Sequence, residues 1–227
     1  MAKSTHSEAT PRQPRASRRR GPPPLAANRT LAFFNAQFER QIAAGELALN
    51  PFERAVLPFL SGRVLDLGCG LGNLARAAAR QGCQVTALDA SPAAIAHLAR
   101  AAAAEHLPIA ARRADLSHPL QLAEKTFDAV AAIGLLMFFP PSQARAAAAA
   151  LAHRVKPGGL VAINVLIEGT TYMDMFEPGG YTLFGEHELL ETFPGWGREL
   201  FEIAAYPAPQ SAVKRFCTLV ARRPLVR

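Results

Sequence analysis

The segment Val64-Leu65-Asp66-Leu67-Gly68-Cys69-Gly70-Leu71-Gly72 constrains this chain more than any other. Four residues with strand character run into three glycines at alternate positions, and helix-forming residues follow. Glycine tolerates backbone conformations that other residues resist, and it lets a ligand approach the main chain with no Cβ in the way. The helix that follows presents free N–H groups at its start. A dinucleotide fingerprint would read G-x-G-x-x-G. Here the residue three after Gly70 is Asn73, and the pattern is D-x-G-x-G-x-G instead. A carboxylate two residues before the first glycine repels a pyrophosphate, but it can hold an ammonium group or a water. The spacing therefore points to a ligand with an amino-acid end rather than a dinucleotide.

The rest of the chain supplies the fold for such a loop. Strand-like runs at 64–67, 84–88, 109–114, 127–133 and 160–167 alternate with helical stretches at 72–81, 92–104 and 141–155. That alternation predicts an α/β fold with a parallel sheet and helices on both faces. Two further runs, at 199–206 and 214–221, are separated by Pro207-Ala208-Pro209-Gln210 and read as a closing antiparallel pair. The whole is a Rossmann-like, mostly parallel seven-stranded sheet with an antiparallel final strand. Lys156-Pro157-Gly158-Gly159 is expected to stop the helix before the fifth strand, and a late helix is expected from about Glu186 to Phe193. Ahead of the sheet, Phe33, Phe34, Phe38 and Ile42 share one helical face and are expected to pack against the body, the alternative being that the three phenylalanines line a pocket above the ligand. Asn50-Pro51-Phe52-Glu53 has the N-cap, first-turn proline and N3 glutamate of a second helix.

Charge is concentrated at the start. Residues 1–30 hold seven basic groups against one acid, so six of the seven net positive charges lie there and one in the rest. Residues 1–29, rich in Pro, Arg, Ser and Thr, are expected to form a disordered basic tail, with one domain from residue 30 to 227. A nearly neutral body argues against nucleic acid as a partner. No apolar stretch approaches the roughly 18 residues needed to span a bilayer. Three cysteines without a CxxC pair, and no signal sequence, lead to the expectation of a cytoplasmic protein with no metal site. Cys69 and Cys83 read as packing residues.

Two more acids stand at strand ends. Asp89 ends the second strand, where a carboxylate can accept both hydroxyls of a ribose; standing before Ser91-Pro92, it can equally be a helix cap. Asp115 ends the third, within reach of an adenine amino group. In open α/β sheets ligands sit at those carboxyl ends.

In order and spacing, Asp66 through Gly72, Asp89, Asp115-Leu116 and Lys156 through Gly159 resemble the class I S-adenosylmethionine (SAM)-dependent methyltransferases. The resemblance covers about residues 50–222. It implies a cofactor site of Asp66, Gly68, Cys69, Gly70 and Gly72 around the methionine end. Asp89 and Ala90 would hold the ribose, Asp115 and Leu116 the adenine, and Ile133-Gly134-Leu135 would close over the cofactor. Leu135 through Phe139, Phe184 through Leu190 with Gly195-Trp196, and Lys214 through Arg222 resemble a narrower group, the tellurite-resistance (TehB-type) methyltransferases. That group carries a His-Arg pair between its last two strands, and residues 206–211 here contain neither residue. Phe139-Pro140-Pro141-Ser142 resembles the N-P-P-Y loop of enzymes that methylate adenine, cytosine or glutamine nitrogens, but Phe139 stands where those need an Asn or Asp.

The expected activity is methyl transfer from SAM to a small acceptor such as a thiol or a chalcogen oxyanion. A macromolecular acceptor, or SAM binding without turnover, are the alternatives. Candidate bases are Tyr172, Asp174, Tyr181 and His187, and residues 169–185 are expected to form a lid. Lys214 or Arg215 would balance an acceptor's charge, depending on which one strand alternation turns inward.

Overall fold

The computed structural model describes residues 29–118, 122 and 124–225. The expected basic tail lies outside the described residues apart from Arg29, which opens helix α1 (Arg29–Ala44). The chain continues through α2 (Pro51–Val56), β1 (Arg63–Leu67), α3 (Asn73–Arg80), β2 (Gln84–Asp89), α4 (Pro92–Ala104) and β3 (Ile109–Arg113). It then forms β4 (Phe127–Ile133), α5 (Pro141–Leu151), β5 (Val155–Leu166), α6 (Glu188–Thr192), β6 (Gly197–Pro207) and β7 (Val213–Arg222).

The seven strands make one sheet in the order β3-β2-β1-β4-β5-β7-β6. β1 pairs in parallel with both β2 and β4, and β7 alone runs antiparallel to its neighbours. The chain winds outward from β1 in one direction, then returns to build the other half. The crevice where the order reverses, above the carboxyl ends of β1 and β4, is where such sheets bind ligands.

Strands buried on both faces need helices on both. Side chains alternate along β1, so Val64 joins a cluster with Leu74, Ala75 and Ala78 of α3 and Leu98 of α4. Leu65 and Leu67 join the opposite cluster, with Ala144, Ala148 and Leu151 of α5 and Leu189 of α6. The second helix forms as its sequence predicts: Asn50 Oδ1 accepts the Glu53 N–H at 2.9 Å, and the Glu53 carboxylate accepts the Asn50 N–H at 2.7 Å.

Two expectations are corrected. α5 stops at Leu151, and Lys156 through Gly159 belong to β5 as a bulge rather than a helix stop. Two steps along β4, from Phe127 to Ala129, match five along β5, from Val155 to Leu160. The extra residues are held by Lys156 Nζ on Asp128 at 2.6 Å and by backbone bonds from Gly158 and Arg223. The late helix is also shorter than expected, Glu188–Thr192, because Glu188 turns back to accept the Gly185 N–H at 2.9 Å and closes the preceding turn.

Candidate functional site

A single cavity of about 960 Å3 lies over the carboxyl ends of β1, β2 and β4. Of the residues predicted from sequence, Gly68, Cys69, Gly70, Asp89, Ala90, Asp115, Leu116, Ile133 and Gly134 line it. Asp66 and Gly72 do not.

The glycine loop and Asp89 are built as one piece. Gly68 and Gly70 have φ of +68° and +51°, which side-chain-bearing residues resist. The Gly68 and Cys69 N–H groups donate to the Leu88 carbonyl at 2.8 and 3.0 Å, tying the loop to the end of β2. The Gly70 N–H donates to Asp89 at 2.9 Å, and the Ser91 N–H donates to the other oxygen of the same carboxylate at 2.8 Å. The side-chain cap of α4 is Ser91, whose Oγ accepts the Ala94 N–H at 3.2 Å. Burial raises the Asp89 pKa, against the backbone N–H groups that lower it.

Asp66 sits beneath the loop, 3% exposed, with Oδ2 lacking any hydrogen-bond partner. Burial, with the charges of Glu53 and Asp89 adding to it, pushes its pKa up to about 8. Gly72 packs instead of lining: a Cβ there would stand 2.3 Å from Leu98. Cys69 lines the cavity as a buried thiol whose pKa burial raises well above the ordinary value, so it is no thiolate nucleophile.

Asp115 accepts the Ser117 N–H at 3.0 Å and hydroxyl at 2.5 Å, and contacts His118 Nδ1 at 3.1 Å. Burial works to raise its pKa, but these partners hold it below the usual carboxylate value. Ile133, Gly134 and Leu135 form the third wall, and the Gly134 N–H donates to the Asn164 carbonyl at 3.0 Å.

Three features were missed or misjudged from sequence. Phe33, Phe34 and Phe38 do not merely pack; they roof the cavity, with Phe34 meeting Phe138 edge-on at 4.9 Å. Glu53, read only as a capping residue, also lines it, and its pKa is raised chiefly by burial. Asn164 is fully buried in the cavity wall; its amide nitrogen donates to Thr218 Oγ1 at 2.9 Å, and its Oδ1 has no partner. A lone Asn inside an apolar strand was the only available signal for it.

The candidate bases fare differently. Tyr172, Asp174, Tyr181 and His187 all lie outside the lining. Tyr181 stacks on Phe176 at 4.7 Å and His187 on Phe201 at 5.7 Å. From segment 169–185, only Met175, Glu177 and Gly180 reach the cavity. They are braced by α1: Thr30 Oγ1 bonds the Met175 carbonyl and accepts the Glu177 N–H, and the Arg29 N–H donates to the Glu177 carboxylate at 3.0 Å. On β7, Lys214 lines the cavity while Arg215 turns away to the Glu168 carbonyl and the Glu186 carboxylate.

Residues 64–159 match the family described as a methyltransferase domain. Over this segment the chain carries a methyltransferase domain. Ubiquinone biosynthesis O-methyltransferase of Alkalilimnicola ehrlichii is 39% identical over 105 residues, 46% of this chain and 41% of that protein. The protein of the same name from Xylella fastidiosa is 36% identical over 124 residues, 52% of this chain and 49% of its own. The chain thus spans about half the length of these relatives or less. Among solved structures, TehB from Haemophilus influenzae superposes with a TM-score of 0.67 at 19% identity, covering 86% of this chain and 67% of that one. This shows that the methyltransferase domain shares its fold. No helix among the described residues is long and apolar enough to cross a membrane.

Proposed function

We propose that this chain transfers a methyl group from SAM to an oxygen or sulfur atom of a small acceptor held in the cavity. The observation that carries this reading is the continuity of the cavity. It joins the glycine loop and the acids at two strand ends, Asp89 and Asp115, to an apolar wall of Phe52, Phe138, Met175 and Phe216 under the α1 roof.

The residues present fit SAM. The buried Asp66 carboxyl has an Oδ2 without a donor, and an ammonium group bound on the cavity side of the loop would favour its charged form. Asp89 faces the cavity with its oxygens held in place, suited to a ribose, and Asp115 with Leu116 lies farther along, suited to an adenine. Glu53 and Asp89 line this end, and their carboxylates suit a cationic ligand.

When bound, SAM supplies an electrophilic methyl: the acceptor's lone pair bonds to its carbon, the C–S electron pair stays on sulfur in S-adenosylhomocysteine (SAH), and any acceptor proton leaves to a base or water. The protein's part is alignment and exclusion of water. The α1 aromatics and the braced Met175–Gly180 stretch supply the exclusion. An ionised acceptor needs no base, whereas a hydroxyl does.

The wall chemistry and the relatives named as O-methyltransferases support an apolar, oxygen- or sulfur-bearing acceptor ahead of a bare chalcogen oxyanion. Calorimetry with SAM, SAH and NAD, followed by radiolabelled SAM with phenols, thiols, tellurite, RNA and protein, tests the reading. Label in a small phenol or thiol supports it. Label in macromolecules alone, or SAM binding with no turnover on any acceptor, overturns it.

A further inference from the structure

The far end of the cavity from the glycine loop has features that a generic methyl-transfer site does not require. β7 is antiparallel to β5, so its first residues lie at the same sheet edge as the carboxyl end of β5. Side chains at alternate positions share a face. Lys214, Phe216 and Thr218 therefore form a row, and register places Thr218 opposite Asn164. Tyr206 of β6 pairs with Lys214. Phe52 packs against both Phe216 (4.4 Å between ring centroids) and Tyr206 (5.4 Å). The result is an aromatic slot with Lys214 at one end and Asn164, whose Oδ1 is unpartnered, at the other. Four strand residues separate the two levels, about 13 Å.

Lys214 is out of balance with its surroundings. Its Nζ lies 4.4 Å above the Tyr172 ring, and among the described residues no carboxylate forms an ion pair with it. The acids in the cavity lining (Glu53, Asp89, Asp115 and Glu177) leave it as the one lysine or arginine there among the described residues. Its basic neighbour Arg215, by contrast, is fully engaged with Glu168 and Glu186 on the other face. A half-buried ammonium without an anion is costly unless a ligand brings one. Burial accordingly lowers the Lys214 pKa from the usual lysine value.

We propose that Lys214 determines acceptor specificity: the acceptor is a flat aromatic molecule whose anionic substituent pairs with the Lys214 ammonium while its ring lies against Phe52 and Phe216. The Asn164 Oδ1 is placed to accept a hydrogen bond from the reacting O–H or S–H. This rests on the proposed methyl transfer, and it adds the class of acceptor. The aromatic slot confers stacking, and the cation distinguishes carboxylated rings from neutral ones.

The test compares matched acceptors, catechol with 3,4-dihydroxybenzoate and thiophenol with 4-mercaptobenzoate. Each is titrated into the SAH complex of the full chain and assayed with SAM. The wild type is expected to bind the carboxylated member more tightly. Lys214→Met should weaken that member, in affinity and KM, by about ten- to a hundredfold, the loss typical of a charged hydrogen bond. The neutral member and SAH affinity should be unchanged, and Lys214→Arg should restore the preference. No preference in the wild type, or an equal loss on both members, overturns the inference while leaving methyl transfer intact. Failure of SAH to bind the wild type would remove the proposed function, and this inference with it.

Discussion

The Asp89 carboxylate accepts the Gly70 N–H at 2.9 Å, so the acid at the end of β2 and the glycine loop after β1 are one structural unit. The proposed ribose acceptor is thereby held in place before any ligand arrives. Asp89→Ala removes both a ligand contact and a strut of the loop. Its SAM dissociation constant should rise about ten- to a hundredfold, roughly 1.5–3 kcal/mol, in a chain that stays folded by circular dichroism. Ser91 remains as the cap of α4, so an unaltered affinity would assign Asp89 a structural role alone.

Asp66 makes the stability of the ligand-free protein depend on pH. Its folded pKa, about 8, lies above that of an unfolded carboxyl, so the folded state holds the proton across the interval between them. Stability then falls as pH rises from the ordinary carboxylate range toward about 8, and levels off above it. Asp66→Asn should flatten this trend, melting above the wild type at alkaline pH, and it should weaken SAM binding. Thermal melts from about pH 5 to about pH 9, with and without SAM, check both. A variant that retains the wild-type slope would show that another group carries it.

Two glycines with similar backbone angles should respond differently to alanine. Gly134 has φ +68° and room for a Cβ, whose nearest neighbour would be the Met137 methyl at 3.8 Å. Its substitution should cost about 1–2 kcal/mol, the left-handed penalty alone. Gly72 has φ +76° and would set its Cβ 2.3 Å from Leu98, in the core under α4. Gly72→Ala should lose a further 1–3 kcal/mol or so from overpacking, read from denaturant midpoints. Equal midpoints for the two variants would contradict the packing role given to Gly72.

Deleting residues 1–28 should leave SAM affinity unchanged, since no described cavity residue precedes Thr30. Extending the deletion through Ala44 takes away Phe33, Phe34 and Phe38 and opens the roof. That longer deletion should lose methyl transfer, because water then reaches the acceptor and the methyl group. Titration and turnover on the two deletions distinguish a dispensable start from a working lid.

The sequence by itself determined the elements of this protein and the parts of the site that obey local rules. Short strand-like runs and helical hydrophobic spacing mark β1 through β7 and the main helices. Positive φ requires glycine at 68 and 70, and acids at strand ends need only their position along the strand to be recognised. What only the tertiary structure decided are matters of packing partner and register. Apolarity says that Phe34 leaves water, but not that the space before it is a cavity. Paired glycines suit a helix end and a bulge alike, so pairing of β4 with β5 had to place Lys156 through Gly159. The β7 pattern permits either Lys214 or Arg215 to face inward, and one residue of register reverses the choice. Pairing with β5 and β6 sets that register, and so puts the lysine in the cavity and the arginine outside it.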